Sequence, residues 1–429
     1  MKTATDCRGK RSYSGFVNRL AVVVAAGSFL PAIPVTAAPQ TDYQQELAEL
    51  TARIERSEKQ AFSAPVHFEP VVQYVYLVYH KAGLTGELGD LRGAVAILDR
   101  AIKEVGPAED LYRLRVHLDL KLHRVPEAKQ DLERVPDLAS SGETLALAAD
   151  VAFQEGRYAE ARSGYEQAIA KERTWDNLAR LAFLESQFGD TAGADHLYAD
   201  AEDEITAKEM RSFAWVELQR GLLEFKHGRF ESAFAHYNRA DRAYTGYWMT
   251  KEYLAELLGA EGKFEEAAKL YQEAVVLAHH PEIEQQLGDL YLFMGKQPLA
   301  KPWYDRALSG FRHAADLGEV LYYHHLSTYY ADAAGDGAAA LEWAQKDAAV
   351  RPGAQVRDSL AWAFYRKGDF DKALEIESEV LASGIKDPHL LFHAGMIDMA
   401  VGRAEEGKRL MSAVAEINPR FVNTFHVHR

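Results

Sequence analysis

The sequence predicts an all-α solenoid, a row of about ten antiparallel helix pairs stacked one on the next. Three observations carry this reading. A pattern of glycine, alanine and tyrosine recurs along most of the chain, at anchor positions 89, 123, 156, 189, 228, 262, 295, 335, 368 and 402. Within each copy the spacing is helical, so the repeating unit is itself built of helices. Between copies the step is 33 or 34 residues, with two longer steps of 39 and 40. Such a period is the mark of a stacked array, because one helical hairpin cannot bury its apolar face alone.

The elements follow in chain order. Residues 1–37 stand apart: Lys2, Arg8, Lys10, Arg11 and Arg19 precede the apolar run LAVVVAAGSFL (20–30), and small residues end at a cleavage point after Ala37. This is the layout of a signal peptide, too short for a spanning helix. It predicts export to the periplasm or beyond, with no stable membrane insertion after cleavage. Cys7, the only cysteine, leaves with the leader, so the mature chain has neither disulfides nor thiol chemistry. Losing five basic residues and one acid takes the net charge from −15 to −19. No basic tract follows, which argues against a nucleic-acid partner. In residues 38–64, Leu47, Leu50 and Ile54 share a helical face, which predicts a capping helix or an arm. Residues 65–420 hold the array, and 421–429 form a tail.

The copies are clearest in GRYAEARSGYEQA (156–168), GRFESAFAHYNRA (228–240) and GKFEEAAKLYQEA (262–274). The anchor glycine ends one helix in a left-handed cap. Alanine five residues on sits where the two helices touch, and tyrosine and alanine at +9 and +12 continue that face. A small residue seven before the anchor (Gly221, Gly288, Ala361, Gly395) is its counterpart on the first helix. The long steps contain EITAKEMRSF and GFRHAADLGEV, which predict helices lengthened by a turn or more. KAGLTGELGD (81–90) reads as a loop.

This pattern resembles the tetratricopeptide repeat family, in an exported bacterial form. The period, the small residue at repeat position 8, Gly at 15, Ala at 20, Tyr at 24 and Ala at 27 all match, over about residues 70–420. The resemblance implies a right-handed superhelix whose first helices line a concave groove. It also implies a non-enzymatic scaffold or adaptor that binds a protein or peptide segment there, in envelope assembly or complex maturation. Neither its oligomeric state nor its partner is written in the sequence.

Catalytic signatures are absent: there is no nucleophile elbow, P-loop, zincin helix or dinucleotide fingerprint. No enzyme activity and no cofactor is therefore expected. All sixteen histidines lie beyond the leader. His389 and His393 share a helical face, and His426 and His428 lie in the tail. Together they make a candidate four-nitrogen zinc, nickel or copper site, and so an alternative role in metal handling.

By the resemblance, positions 2, 5, 9 and 12 of each first helix point into the groove. From Gly368 these are Gln355, Asp358, Trp362 and Tyr365. From Gly402 they are His389, Phe392, Met396 and Met399. From Gly295 they are Glu282, Gln285, Asp289 and Leu292. Trp215, Leu218, Leu222 and Phe225, counted from Gly228, look like core instead. In LYYHHLSTYY (321–330) two registers compete. Strict counting from Gly335 exposes Tyr322, His325, Tyr329 and Asp332. One extra residue in the turn DAAGDG puts Ser327 at the small position and His324 and Thr328 in the groove, which fits better. Tyr323, Leu326 and Tyr330 then pack, and the two adjacent histidines point about 100° apart. The groove candidates are thus His324, Thr328, Gln355, Asp358, Trp362, Tyr365, His389, Phe392 and Met396.

Overall fold

The computed structural model describes residues 40–421 except 107, 136 and 138–140. Its described residues form ten helical hairpins preceded by α1 (Asp42–Ala61). The hairpins are α2 (Phe68–Thr85) with α3 (Gly89–Glu104), α4 (Glu109–Lys121) with α5 (Val125–Leu132), and α6 (Gly142–Gln154) with α7 (Tyr158–Lys171). Next come α8 (Trp175–Gln187) with α9 (Thr191–Glu204), α10 (Met210–Lys226) with α11 (Phe230–Ala243), and α12 (Trp248–Ala260) with α13 (Phe264–Leu277). The last four are α14 (Pro281–Phe293) with α15 (Gln297–Asp316), α16 (Leu321–Thr328) with α17 (Gly337–Val350), α18 (Ala354–Lys367) with α19 (Phe370–Ala382), and α20 (Pro388–Ala400) with α21 (Ala404–Ile417).

The repeat motif is the packing motif. Ala233, Tyr237 and Ala240, at +5, +9 and +12 from Gly228, are fully buried, as are Ala267, Tyr271 and Ala274 after Gly262. The tyrosine lies on the small residue of the preceding helix: a Cβ on Gly221 would overlap the Tyr237 ring, and one on Gly288 would press on Tyr304. Met411 takes the tyrosine's place over Gly395. The anchor turn recurs at most copies, as at Gly156, Gly228 and Gly402. Gly262 has φ +80°, and the next amide, Lys263 N, donates to Leu258 O at 2.8 Å. This closes the last helical turn around a residue that only glycine adopts cheaply.

The two long steps do lengthen helices, giving α10 17 residues and α15 20, against 14 in α11 and α13. α1 is a docked helix: its Leu50 is buried and its N-terminus is held by Thr245, whose carbonyl accepts from Tyr43 N at 3.2 Å. The region 81–90 differs from the loop expected. α2 runs on to Thr85, and the turn is tight around Gly86 (φ +75°), so Gly86 and not Gly89 is the anchor. Leu218 and Phe225 are buried core, while Trp215 meets Trp175 edge to face.

The array closes on itself. Ala354 N donates to the Tyr158 hydroxyl at 2.8 Å, across 196 residues or roughly six repeat periods. Lys386 N donates to Gln187 O at 2.8 Å, and the Trp248 indole N–H to Leu84 O at 3.0 Å. Lys226 pairs with Asp387 at 2.8 Å, and Arg92 with Glu319. One superhelical turn thus rests on the next along a seam, joined largely through backbone groups and buried polar side chains.

Candidate functional site

The concave face beside the seam holds an open-sided cavity of about 720 Å³. One wall is the first helices of successive repeats, which contribute Glu256 (α12), Gln285 (α14), Thr328 (α16), Gln355 (α18) and Leu390 (α20). Arg351 and Asp387 enter from connections, and His123 from the α4–α5 turn of the previous superhelical turn. These helices face inward because the buried stripe of each second helix, Ala–Tyr–Ala in α13 and α15, binds their other side.

Of the residues expected in the groove, His324, Thr328, Gln355, Asp358 and His389 border this cavity. Four others do not, which corrects the sequence reading. Trp362 is only 3% exposed, lies flat between Tyr365 (4.7 Å between ring centres) and His393 (4.1 Å), and donates its indole N–H to Asp332 at 3.0 Å. Phe392 is buried against Phe421, and Met396 and Tyr365 pack on the cluster around Trp362. Apolar side chains at these positions gain more from the space between adjacent repeats than from a wet groove. Glu282, Gln285, Asp289 and Leu292 do border the cavity.

Of the four candidate metal-ligating histidines, two lie among the described residues. His389 has its Nδ1 3.7 Å from Asp387 and its ring against Phe421. His393 has its Nδ1 3.0 Å from both oxygens of Asp358. Each is thus committed to its own carboxylate. Among the described residues no group of three metal-capable side chains converges, and His426 and His428 lie outside them. Ser359 meets His324 (3.1 Å), not the histidine that Asp358 holds, so these residues do not line up as a nucleophile–base–acid relay.

LYYHHLSTYY resolves the register question in an unexpected way. The extra residue is not in the turn. It is taken up by a π-helical segment, Tyr329–Ala333, in which Ala334 N reaches Tyr329 O at 3.0 Å. Ser327, buried, crosses the next helix and donates to Ala340 O at 3.1 Å, so it holds the small position. Before the π segment His324 and Thr328 face the cavity. Within the segment the strict count resumes, and Asp332 borders the cavity too. His325 borders the cavity as well, edge-on beside its neighbour and stacked on Phe311 at 5.4 Å.

His123 was legible and overlooked. It stands at an anchor position where most copies have glycine, and it keeps the glycine conformation, φ +57°, the sole described non-glycine residue to do so. Its Nδ1 accepts from Arg351 at 3.4 Å across the seam, with the Gln154 side-chain amide 3.3 Å away. Burial and the Arg351 charge hold its pKa down, to about 3, so the ring is neutral.

The cavity is acidic, and several of its acids are met by neutral donors. The Tyr304 hydroxyl donates to Asp289 at 2.6 Å and the Trp362 indole to Asp332. Burial, with Glu319 and Glu284 nearby, pushes Glu282 up to about 7, and burial with Glu252 pushes Glu256 up to about 8. Asp387 differs: burial opposes its charge, but Lys226 and His389 hold it well below the usual range. Arg351, the one arginine of the lining, is gripped by Asp347 at 2.6 and 3.0 Å.

Period, hairpin geometry and concave inner face define a tetratricopeptide-type helical-repeat array. No family model matches the chain. A curated relative, the TPR repeat-containing protein YpiA of Bacillus subtilis (strain 168), is 23% identical over 212 residues, 40% of this chain and 48% of that protein. The match thus spans about half the relative's length. Among solved structures, the APC/C hetero-tetramer Cut9–Hcn1 aligns over 88% of this chain and 80% of that one, at 13% identity and a TM-score of 0.41. The human IFIT1 dimer with PPP-AAAA aligns over 87% of each at 12% and 0.44, and MamA over 39% and 96% at 17% and 0.32. At those scores nothing about the function of this chain follows from the likeness.

Proposed function

We propose that the protein is a non-enzymatic binding scaffold that holds a segment of a partner protein in its concave cavity. By the leader in its sequence it works in the periplasm or outside the cell, in envelope assembly or complex maturation. The supporting observation is the cavity itself: five successive first helices and a residue from the previous superhelical turn line one ligand-sized space of mixed polar and apolar surface. A helical array offers such a surface without catalytic parts, and its repeats supply graded contacts along an extended chain.

Site-specific photocrosslinking in the native envelope tests this. A crosslinker at Gln285 or Thr328, in the cavity, is expected to capture a defined partner, and one at exposed Lys269 on the outer face is not. Capture from Lys269 alone would refute the cavity as the binding surface. Mass analysis of the mature N-terminus tests export, with cleavage after Ala37 expected.

A further inference from the structure

We propose that the seam is a clasp released by protons: it closes with His80 and His123 neutral, and their protonation loosens the two superhelical turns and widens the cavity. This holds whatever the cavity binds. The chemistry of two contacts is the first argument. Arg351 Nη1 donates to Nδ1 of His123 at 3.4 Å, between residues 228 apart in the chain. Arg211 Nη2 donates to Nδ1 of His80 at 3.5 Å, and its Nη1 to the His80 carbonyl at 3.4 Å, across 131 residues. A guanidinium carries donors only, so the ring nitrogen that faces it must accept and must be bare. A proton on that nitrogen sets donor against donor and cation against cation. The neutral rings add little hold; the charged rings push.

The surroundings are the second argument. His123 is faced by Arg351 from the α17–α18 connection, by His324 and His325 from α16, by Lys121 from its own helix and by the neutral Gln154 of α6. His80 is faced by Arg211 from α10, by Arg53 from α1, and by Tyr76 and Tyr79 on its own helix. The acids on these contacts are bound to the arginines and not to the rings: Asp347 grips Arg351 at 2.6 Å, and Glu46 of α1 meets Arg211 at 3.2 Å. Burial and the arginine charges hold His80 down to about 4 and His123 down to about 3. A ring freed from its contact returns to about 6.5. Below about pH 6.5 the open seam therefore binds more protons than the closed one. Closure is fully favoured above that pH and is lost as pH falls toward 4 at His80 and 3 at His123. Each histidine shifts the closed-to-open ratio about tenfold per pH unit in its window.

The contacts that remain set how far the turns part. Asp387 is held well below the usual carboxylate range, so its pair with Lys226 outlasts the histidine contacts as pH falls. His280 donates from Nε2 to Thr85 O at 2.6 Å, and an added proton leaves that donor in place. The seam thus stays tethered and loosens locally. His123 lines the cavity, so its withdrawal from Arg351 widens the cavity on that side. It also frees a left-handed backbone, φ +57°, that an open turn need not keep.

Amide hydrogen exchange on the full chain, read at single residues and corrected for intrinsic rate, tests the clasp. Two seam amides report: Ala354 N, on the Tyr158 hydroxyl beside the Arg351 contact, and Lys386 N, on Gln187 O beside the Lys226–Asp387 tether. Between about pH 7 and 5, protection at Ala354 is expected to fall at least about tenfold, reversibly, with unchanged circular dichroism and a smaller fall at Lys386. In His80→Gln/His123→Asn the side-chain oxygens still accept from the arginines but take no proton, and asparagine tolerates the left-handed backbone. There the fall at Ala354 is expected to shrink to about twofold or less. If the double variant fails to fold, the single variants read the same effect, with His123→Asn removing the larger share at Ala354.

Unchanged protection at Ala354 in the natural chain overturns the proposal. So does an equal fall at Ala354 and Lys386, which marks general acid destabilisation. A fall that persists in the variants assigns the effect to other groups and overturns the role of His80 and His123. None of these outcomes touches the scaffold reading, which rests on the crosslinks at Gln285 and Thr328.

Discussion

The hairpins α10–α13 and the pair formed by α4–α5 and α16–α17 follow the same repeat with opposite fidelity. In α10–α13 every rule holds: glycine anchors at 228 and 262, Ala–Tyr–Ala stripes fully buried, and Gly221 tucked under Tyr237. In α4–α5 the anchor is His123, and α16 ends in a π-helical segment. Both irregularities face the cavity, and His123 touches Arg351 just after α17. Regularity builds the wall and departure from it furnishes the site. A non-glycine residue at positive φ costs about 1–2 kcal/mol and a π segment spoils helical hydrogen bonding, so neither persists without surrounding support.

Substitutions can break this comparison. The largest effect is expected at Trp362→Ala, which empties the stacked layer between Tyr365 and His393. A loss of about 3–5 kcal/mol by denaturant unfolding would mark it as core; a loss near zero would restore it to the groove. Next is Gly221→Val in the regular region, where overlap with Tyr237 should cost about 1–3 kcal/mol with no selective effect on the cavity. Deleting Ala334 should turn the π segment into ordinary α-helix. Stability is expected to change by about 1 kcal/mol or less in denaturant unfolding, while Asp332 turns from the cavity and gives up the Trp362 indole, seen as a change in tryptophan fluorescence.

His123→Gly should be close to neutral, within about 1 kcal/mol, because relief of the left-handed backbone offsets the lost contacts to Arg351 and Gln154. A large destabilisation would show that His123 mainly fastens the seam. The smallest effect is on pH dependence. Glu256 has its folded pKa raised to about 8, so between about 4.5 and 8 the folded state binds more protons than the unfolded one. Stability from this group therefore falls as pH rises through that window. Glu256→Gln is expected to flatten the decline in Tm measured from about pH 6 to 9, with Glu252 supplying what remains.

Much of the fold was written in the residues. Glycine at an anchor, alanine at +5 and tyrosine at +9 act over one hairpin, so their spacing reveals their contacts. The site was legible only where it used the same register, as with Gln355, Asp358, Glu282 and Asp289. Trp362 and Phe392 were misplaced because an aromatic at a groove position reads alike whether it points into the channel or sideways into the next repeat. His325 and Asp332 were set aside because a single register was assumed for α16, and no local signal in YYADAAG marks a π segment.

The sequence by itself determined that this chain is a stack of helical hairpins, which residues hold each pair together, and where the helices lengthen. Those are short-range decisions, set by helical periodicity and the size of side chains a few residues apart. Only the tertiary structure decided that one superhelical turn meets the next, bringing Tyr158 to Ala354, Gln187 to Lys386 and His123 to Arg351. That closure sums small rotations over roughly six repeats, and backbone amides and carbonyls, common to every sequence, make much of the seam.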